Sequence, residues 1–134
     1  MKKIYETAIT NVGGREGEVH SADNSFSYAV TSPGRKKANA TNPEQLFAAA
    51  YSACFNSALE LVLEKEGIDA KSTVTARVSL YQDDEGGFNV GVQLETHIDG
   101  VSEEQAHDLV EKAHQVCPYS KATRNNIEVE LTIV

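Results

Sequence analysis

Polar and apolar residues alternate along three stretches of the chain. Phe26, Tyr28 and Val30 interleave with Ser25, Ser27 and Ala29. Val74, Ala76, Val78 and Leu80 interleave with Thr73, Thr75, Arg77 and Ser79, and Phe88, Val90, Val92 and Leu94 follow the same rule. A period of two belongs to a strand with one face buried. Asp83-Asp84-Glu85-Gly86-Gly87 between the last two stretches predicts a hairpin turn. Lys3–Thr10 is rich in β formers and predicts a first strand, punctuated by Asn11-Val12-Gly13-Gly14. Ile127, Val129, Leu131 and Ile133 predict the last one, and Thr31–Ala40 reads as a loop broken at Pro33-Gly34.

Two segments carry helical signals. Asn42 is placed to cap, Pro43 suits the first helical position, and Glu44 favours the positive end of the helix dipole. That helix is expected to run to about Glu66, where Gly67 supplies a stop. Leu46 to Phe55 is apolar or small on nearly every face, the pattern of a helix buried on all sides. A second subunit is an economical source of such cover. Ser102-Glu103-Glu104-Gln105 matches a capping box, and Ala106, Leu109, Val110, Ala113 and Val116 mark one apolar face of a second helix, limited by Pro118. The predicted order is β-β-β-α-β-β-α-β, an α+β pattern.

The 134 residues fit a single domain over 1–134. Twelve Lys and Arg against twenty Asp and Glu leave a net charge of −8. That balance argues against nucleic acid and against an anionic membrane surface as partners. Arg35, Lys36 and Lys37 form a local basic cluster that reads as a solvated loop tip. No apolar run is read as long enough to span a bilayer, and no apolar signal core follows Lys2 and Lys3. A cytoplasmic protein is expected.

Two cysteines, Cys54 and Cys117, carry the candidate chemistry. In a reducing compartment they are either core fillers or redox groups. Cys54 lies deep inside its helix, so a reactive thiolate there needs a cation from elsewhere in the fold. Cys117 sits at a helix C-terminus, where the dipole disfavours a thiolate. That position suits a thiol that attacks an oxidised partner, or a plain core cysteine. His107, His114 and Cys117 fall at intervals of seven and three, with His97 elsewhere, but they lack the paired spacing of zinc modules. The helix histidines, His107 and His114, are expected to be solvated. The acidic loop at Asp83 lacks the spaced ligands of a calcium site. Neither a nucleophile elbow nor a phosphate-binding glycine loop opens a helix, so no metal and no cofactor are expected.

Three segments together resemble the Ohr/OsmC family of thiol peroxidases, in its organic hydroperoxide resistance branch. They are Gly13-Gly14-Arg15-Glu16-Gly17, Thr41 to Ala49 running on to Tyr51-Ser52-Ala53-Cys54-Phe55, and Val116-Cys117-Pro118-Tyr119-Ser120, with Ala122 to Ile127 following suit. The resemblance spans essentially the whole chain. It implies an intertwined homodimer whose sheets wrap central helices. It also implies that Cys54 is the peroxidatic cysteine, Cys117 the resolving cysteine, Arg15 the arginine that holds the thiolate, and Glu44 the carboxylate that orients Arg15. The implied substrate is an organic hydroperoxide of alkyl or lipid type, and the implied reductant is a dithiol of the dihydrolipoyl type, carried on lipoylated protein. Ser32 to Ala40 departs from the glycine-rich loop usual in this branch, and Ala50 stands where glycine is common.

Each role has a physical reason. A neighbouring guanidinium lowers a thiol's pKa and stabilises charge on peroxide oxygens. Phe47 and Phe55 beside Cys54 suggest an apolar pocket. Glu44 and Cys54 are ten residues apart on one predicted helix, about 15 Å along its axis. Either that helix breaks, or one residue comes from a second subunit, and the second is expected. The competing readings are an OsmC-branch peroxidase of broader preference and a dimeric, non-catalytic redox-sensing or binding module. Turnover separates an enzyme from a sensor.

Overall fold

Four short strands make the first sheet: β1 (Thr10–Val12), β2 (Glu18–His20), β3 (Ser27–Val30) and β4 (Ala40–Thr41). β1 pairs antiparallel with β2 and β2 with β3, while β3 and β4 run parallel. The computed structural model describes residues 1–35 and 37–134, so Lys36 of the basic cluster lies outside the described residues. The strand expected over Lys3–Thr10 begins only at Thr10. Met1–Ile9 are exposed and join no sheet among the described residues, and β propensity without a partner ladder does not make a strand. The β2–β3 connection is tied by Asp23, whose carboxylate accepts from Ser21 Oγ at 2.7 Å, Ser25 Oγ at 2.8 Å and Ser25 N at 3.1 Å.

Helix α1 (Pro43–Lys65) starts where the capping signals put it, with Gln45 N donating to Asn42 Oδ1 at 2.8 Å. Gly67 ends it at φ 69°, while Ile68 N donates to Leu63 O and Gly67 N to Glu64 O, a Schellman closure. The chain divides into two compact units, Met1–Leu46 and Phe47–Val134, with the boundary inside α1. Tyr51, Phe55, Ala58, Leu59, Val62 and Leu63 are buried, whereas Phe47 and Leu61 are 37% and 41% exposed. The all-round burial expected for this helix is therefore incomplete in one chain. By length and mean hydropathy α1 is also long and apolar enough to cross a membrane, which corrects the expectation that no run reaches that length. Its buried face belongs to the protein core.

The second unit holds the second sheet. β5 (Ser72–Gln82) and β6 (Phe88–Ile98) pair antiparallel from Ser72↔Ile98 to Gln82↔Phe88, and β7 (Val129–Ile133) joins β6 in parallel. Asp83 closes the hairpin by accepting from Gly87 N at 2.8 Å and Glu85 N at 3.0 Å. Helix α2 (Glu103–Val116) is capped by Ser102, whose side chain accepts from Gln105 N. Its face of Ala106, Leu109, Val110 and Ala113 is buried with Leu59 and Leu94, while Val116 is 40% exposed. Truncating a leucine buried this fully costs about 2–5 kcal/mol.

Pro118 does more than end α2, because it opens a further helix, α3 (Pro118–Thr123), absent from the predicted order. Proline cannot continue a helix but suits the first turn of a new one. The last strand starts at Val129, two residues later than the pattern suggests. Ile127 N donates to Thr123 O at 3.0 Å, which commits Ile127 to closing α3. The α+β class holds, with β4 and α3 added to the expected order.

Candidate active site

Arg15 is delivered by a tight turn in the first unit. Gly13, at φ 83°, leads into a single 3-10 turn over Gly14–Glu16. Asn11 stitches this turn: its Oδ1 accepts from Gly14 N at 3.0 Å, and its Nδ2 donates to Gly14 O at 3.1 Å and Glu18 O at 3.0 Å. Gly17 is required by close approach, since a Cβ there would lie 1.7 Å from Val12 O. Arg15 then grips Glu44 in the first turn of α1, Nη1 donating to Oε2 at 2.8 Å and Nη2 to Oε1 at 2.6 Å. This two-point contact uses the fork geometry that lysine lacks. Hydrogen bonding from Arg15 holds the Glu44 carboxyl below the usual range, and the same contact raises the Arg15 pKa. Side-chain exposure of 40% for Arg15 and 14% for Glu44 leaves the guanidinium the more accessible partner.

Glu16 was not singled out by sequence reasoning. Its carboxylate accepts from Ser32 N at 3.1 Å and Thr31 Oγ1 at 3.3 Å, tying the loop after β3 to the turn that carries Arg15. A carboxylate at that point gives no signal in sequence, because its partners lie 15 and 16 residues on.

Cys54 and Cys117 meet in the second unit. Both thiols are free, and Cys117 donates to Cys54 with the sulfurs 3.7 Å apart. Cys54 is half-buried and lines a groove of about 560 Å³ with Ala58, Leu61, Val116 and Pro118. Cys117 is 0% exposed, at the junction of α2 and α3. Burial pushes the Cys54 thiol pKa up, the Tyr119 backbone N–H pulls it down, and the neighbouring Cys117 raises it again. Of the four residues expected at the site, each pair, Arg15 with Glu44 and Cys54 with Cys117, thus sits together within its own unit.

A buried polar cluster around the cysteines went unread in the sequence. Tyr51 Oη lies 2.9 Å from Ser120 Oγ and 3.2 Å from Thr123 Oγ1, and Ser120 Oγ lies 2.8 Å from His114 Nδ1. Arg124 Nη2 donates to His114 O at 2.6 Å. His114 is therefore half-buried and bonded, not solvated as expected, and burial lowers its pKa. His107 does face solvent, 3.8 Å from Glu103, and His97 lies 2.8 Å from Val134 O and 2.9 Å from Asp99. Among the described residues no three His, Cys, Asp or Glu gather as a metal site. Phe55 is 0% exposed in the core, its ring tilted toward His114, and is not among the residues lining the groove at Cys54. Phe47 does line an apolar groove, with Val90, Tyr119, Ala122 and Ile127.

Comparison with known proteins adds to this geometry. A family model described as OsmC-like protein matches residues 34–132. The chain is 47% identical to organic hydroperoxide resistance protein-like 2 of Staphylococcus epidermidis, over 97% of this chain and 95% of that protein. It is 40% identical to the crystal structure of the organic hydroperoxide resistance protein OhrB of Bacillus subtilis, with a TM-score of 0.90 over 98% of this chain and 100% of that one. An organic hydroperoxide resistance protein structure from Elizabethkingia anophelis is 50% identical, with a TM-score of 0.90 over 99% and 98% of the two chains.

Proposed function

Because the chain belongs to the OsmC-like family, in its organic hydroperoxide resistance branch, we propose that it is a cysteine-based peroxidase that reduces organic hydroperoxides to alcohols. The observation that carries this reading is the meeting of two free thiols from positions 63 apart in sequence, with sulfurs 3.7 Å apart. One opens on a groove where Ala58, Leu61, Val116 and Pro118 stand beside Ser57, Glu60 and Glu64, and the other is sealed in the core.

In this reading the Cys54 thiolate attacks the terminal peroxide oxygen. The O–O bond breaks, the alkoxide leaves and takes a proton, and Cys54 becomes a sulfenic acid. Cys117 Sγ then attacks Cys54 Sγ; its thiol proton and the departing hydroxide make water, and a disulfide remains. A dithiol of the dihydrolipoyl type, on lipoylated protein, returns both cysteines to thiols and becomes a disulfide itself. Arg15 lowers the Cys54 pKa and stabilises the alkoxide with N–H groups that Glu44 does not use. Glu44 fixes the guanidinium plane.

We read residues 1–134 as a single cytoplasmic domain that works as a homodimer. An α1 unbroken from Pro43 to Lys65 supports a site completed by the second subunit, because the alternative needs a break between Glu44 and Cys54. The test is steady-state loss of a bulky organic hydroperoxide with dihydrolipoamide, comparing the native chain with Cys54→Ser. Turnover that vanishes in the variant is the expected result. A reduced, folded native chain that oxidises once and does not cycle would instead leave a redox sensor.

A further inference from the structure

We propose that His114 is a positioning residue: it heads a one-way chain of hydrogen bonds through Ser120, Tyr51 and Thr123 that holds the Cys117 turn against Cys54. The inference rests on the disulfide step proposed above. Cys117 is both the last cap of α2 and the first cap of α3, at φ −59° and ψ 121°. The direction of its side chain therefore depends on how α3 is held against α2. A six-residue helix does not hold itself in water.

What ties the junction is the buried cluster. His114 lies three residues before Cys117 and Ser120 three residues after it, and their side chains meet at 2.8 Å. Tyr51, three residues before Cys54, meets Ser120 at 2.9 Å and Thr123 at 3.2 Å. Both flanks of Cys117 are thus tied to the helical turn that carries Cys54. Tyr51 and Ser120 are each 0% exposed, so no bulk water replaces a lost partner.

Proton accounting sets the direction. Thr123 Oγ1 faces the Ser120 carbonyl at 3.2 Å, and a carbonyl only accepts, so Thr123 donates there. Its oxygen must then accept from Tyr51 Oη. Tyr51 has one proton and has given it, so Ser120 Oγ donates to Tyr51. Ser120 has likewise given its proton and must accept from His114 Nδ1. Every hydroxyl donates once and accepts once only when His114 carries a proton on Nδ1. The opposite direction forces Thr123 to serve two acceptors with one hydrogen. The assignment holds for the neutral Nδ1–H tautomer and for the doubly protonated ring alike.

The test separates ring chemistry from ring volume. His114→Asn places an amide donor where Nδ1–H stands, and His114→Leu fills space without one. Tyr51→Phe interrupts the chain by one oxygen and keeps the packing. Disulfide closure is followed by thiol loss after one equivalent of a hydroperoxide, and in parallel with diamide, which drives closure without peroxide chemistry. His114→Leu and Tyr51→Phe are expected to slow closure about tenfold with either oxidant and, when a second equivalent of hydroperoxide is supplied, to divert the Cys54 sulfenic acid to sulfinic acid, with Asn restoring the native rate. Long-range ¹H–¹⁵N spectra are expected to show His114 protonated at Nδ1. Native closure rates in His114→Leu, an Asn variant as slow as Leu, or a ring protonated only at Nε2 would each overturn the proposal. Failure of the native chain to react with peroxide would sink the peroxidase reading, while the diamide arm would still decide this one.

Discussion

Arg15 shows how one side chain draws its value from its partners. Two of its N–H groups are spent on Glu44 at 2.6 and 2.8 Å, and in the proposed mechanism the others serve a thiolate or a peroxide oxygen. Lysine offers charge at a point and cannot span both carboxylate oxygens. Arg15→Lys is expected to lower kcat/KM for an organic hydroperoxide by about a hundredfold, the usual loss for a misdirected transition-state donor. It should also move the pH–rate profile of Cys54 oxidation to higher pH. Burial already raises the Cys54 pKa, so weakening the cation leaves less thiolate at a given pH. A profile that does not move would place the Arg15 effect after thiolate formation. At this scale the sequence was legible only through resemblance: an arginine beside glycines is commonplace, and its pairing with Glu44 spans 29 residues. The His114–Ser120 contact was missed because hydrogen bonding across a helix junction has no signature in hydrophobic pattern.

Elements with local signals were read well, and elements made by partners were not. Asn42 and Gly67 bound α1, and Ser102 opens α2, because caps are written within a few residues of the ends they satisfy. β5 and β6 alternate along a shared register. By contrast, β4 is two residues of parallel pairing with β3, and α3 is too short to show a period. The turn at Gly13–Gly17 was visible as glycine-rich, but its purpose emerges from the approach of Gly17 to Val12 O. Gly17→Ala is expected to cost about 1–3 kcal/mol, read as a fall in Tm, and to reduce activity by displacing Arg15. An unchanged Tm would show that the Val12 carbonyl can move aside without loss.

For the molecule as a whole, the exposed Phe47 and Leu61 leave part of α1 uncovered in one chain, where the sequence pattern predicts burial on every side. The proposed shared site makes a sharp prediction. Cys54→Ser subunits, inactive alone, and Arg15→Lys subunits, which keep only about a hundredth of native activity, are mixed and reassembled. If Arg15 serves the other subunit's Cys54, half the population becomes mixed dimers with one intact site each, and about a quarter of native activity returns. If both residues act within one chain, no activity returns.

In the proposed peroxidase cycle, the sealed position of Cys117 also governs how the disulfide is reduced. In the proposed cycle an incoming thiol reaches only Cys54, and the mixed disulfide formed there sits beside Cys117, whose sulfur is 3.7 Å from that of Cys54 when both are free thiols, ready to expel it again. A monothiol therefore loses a race it must win by a second collision, while a dithiol wins by folding back on itself before Cys117 returns. Replacing dihydrolipoamide with an equal thiol concentration of a monothiol should slow recycling far more than it slows the first attack. Selectivity for the reductant would then be kinetic, enforced by a rival nucleophile inside the protein rather than by a recognition pocket.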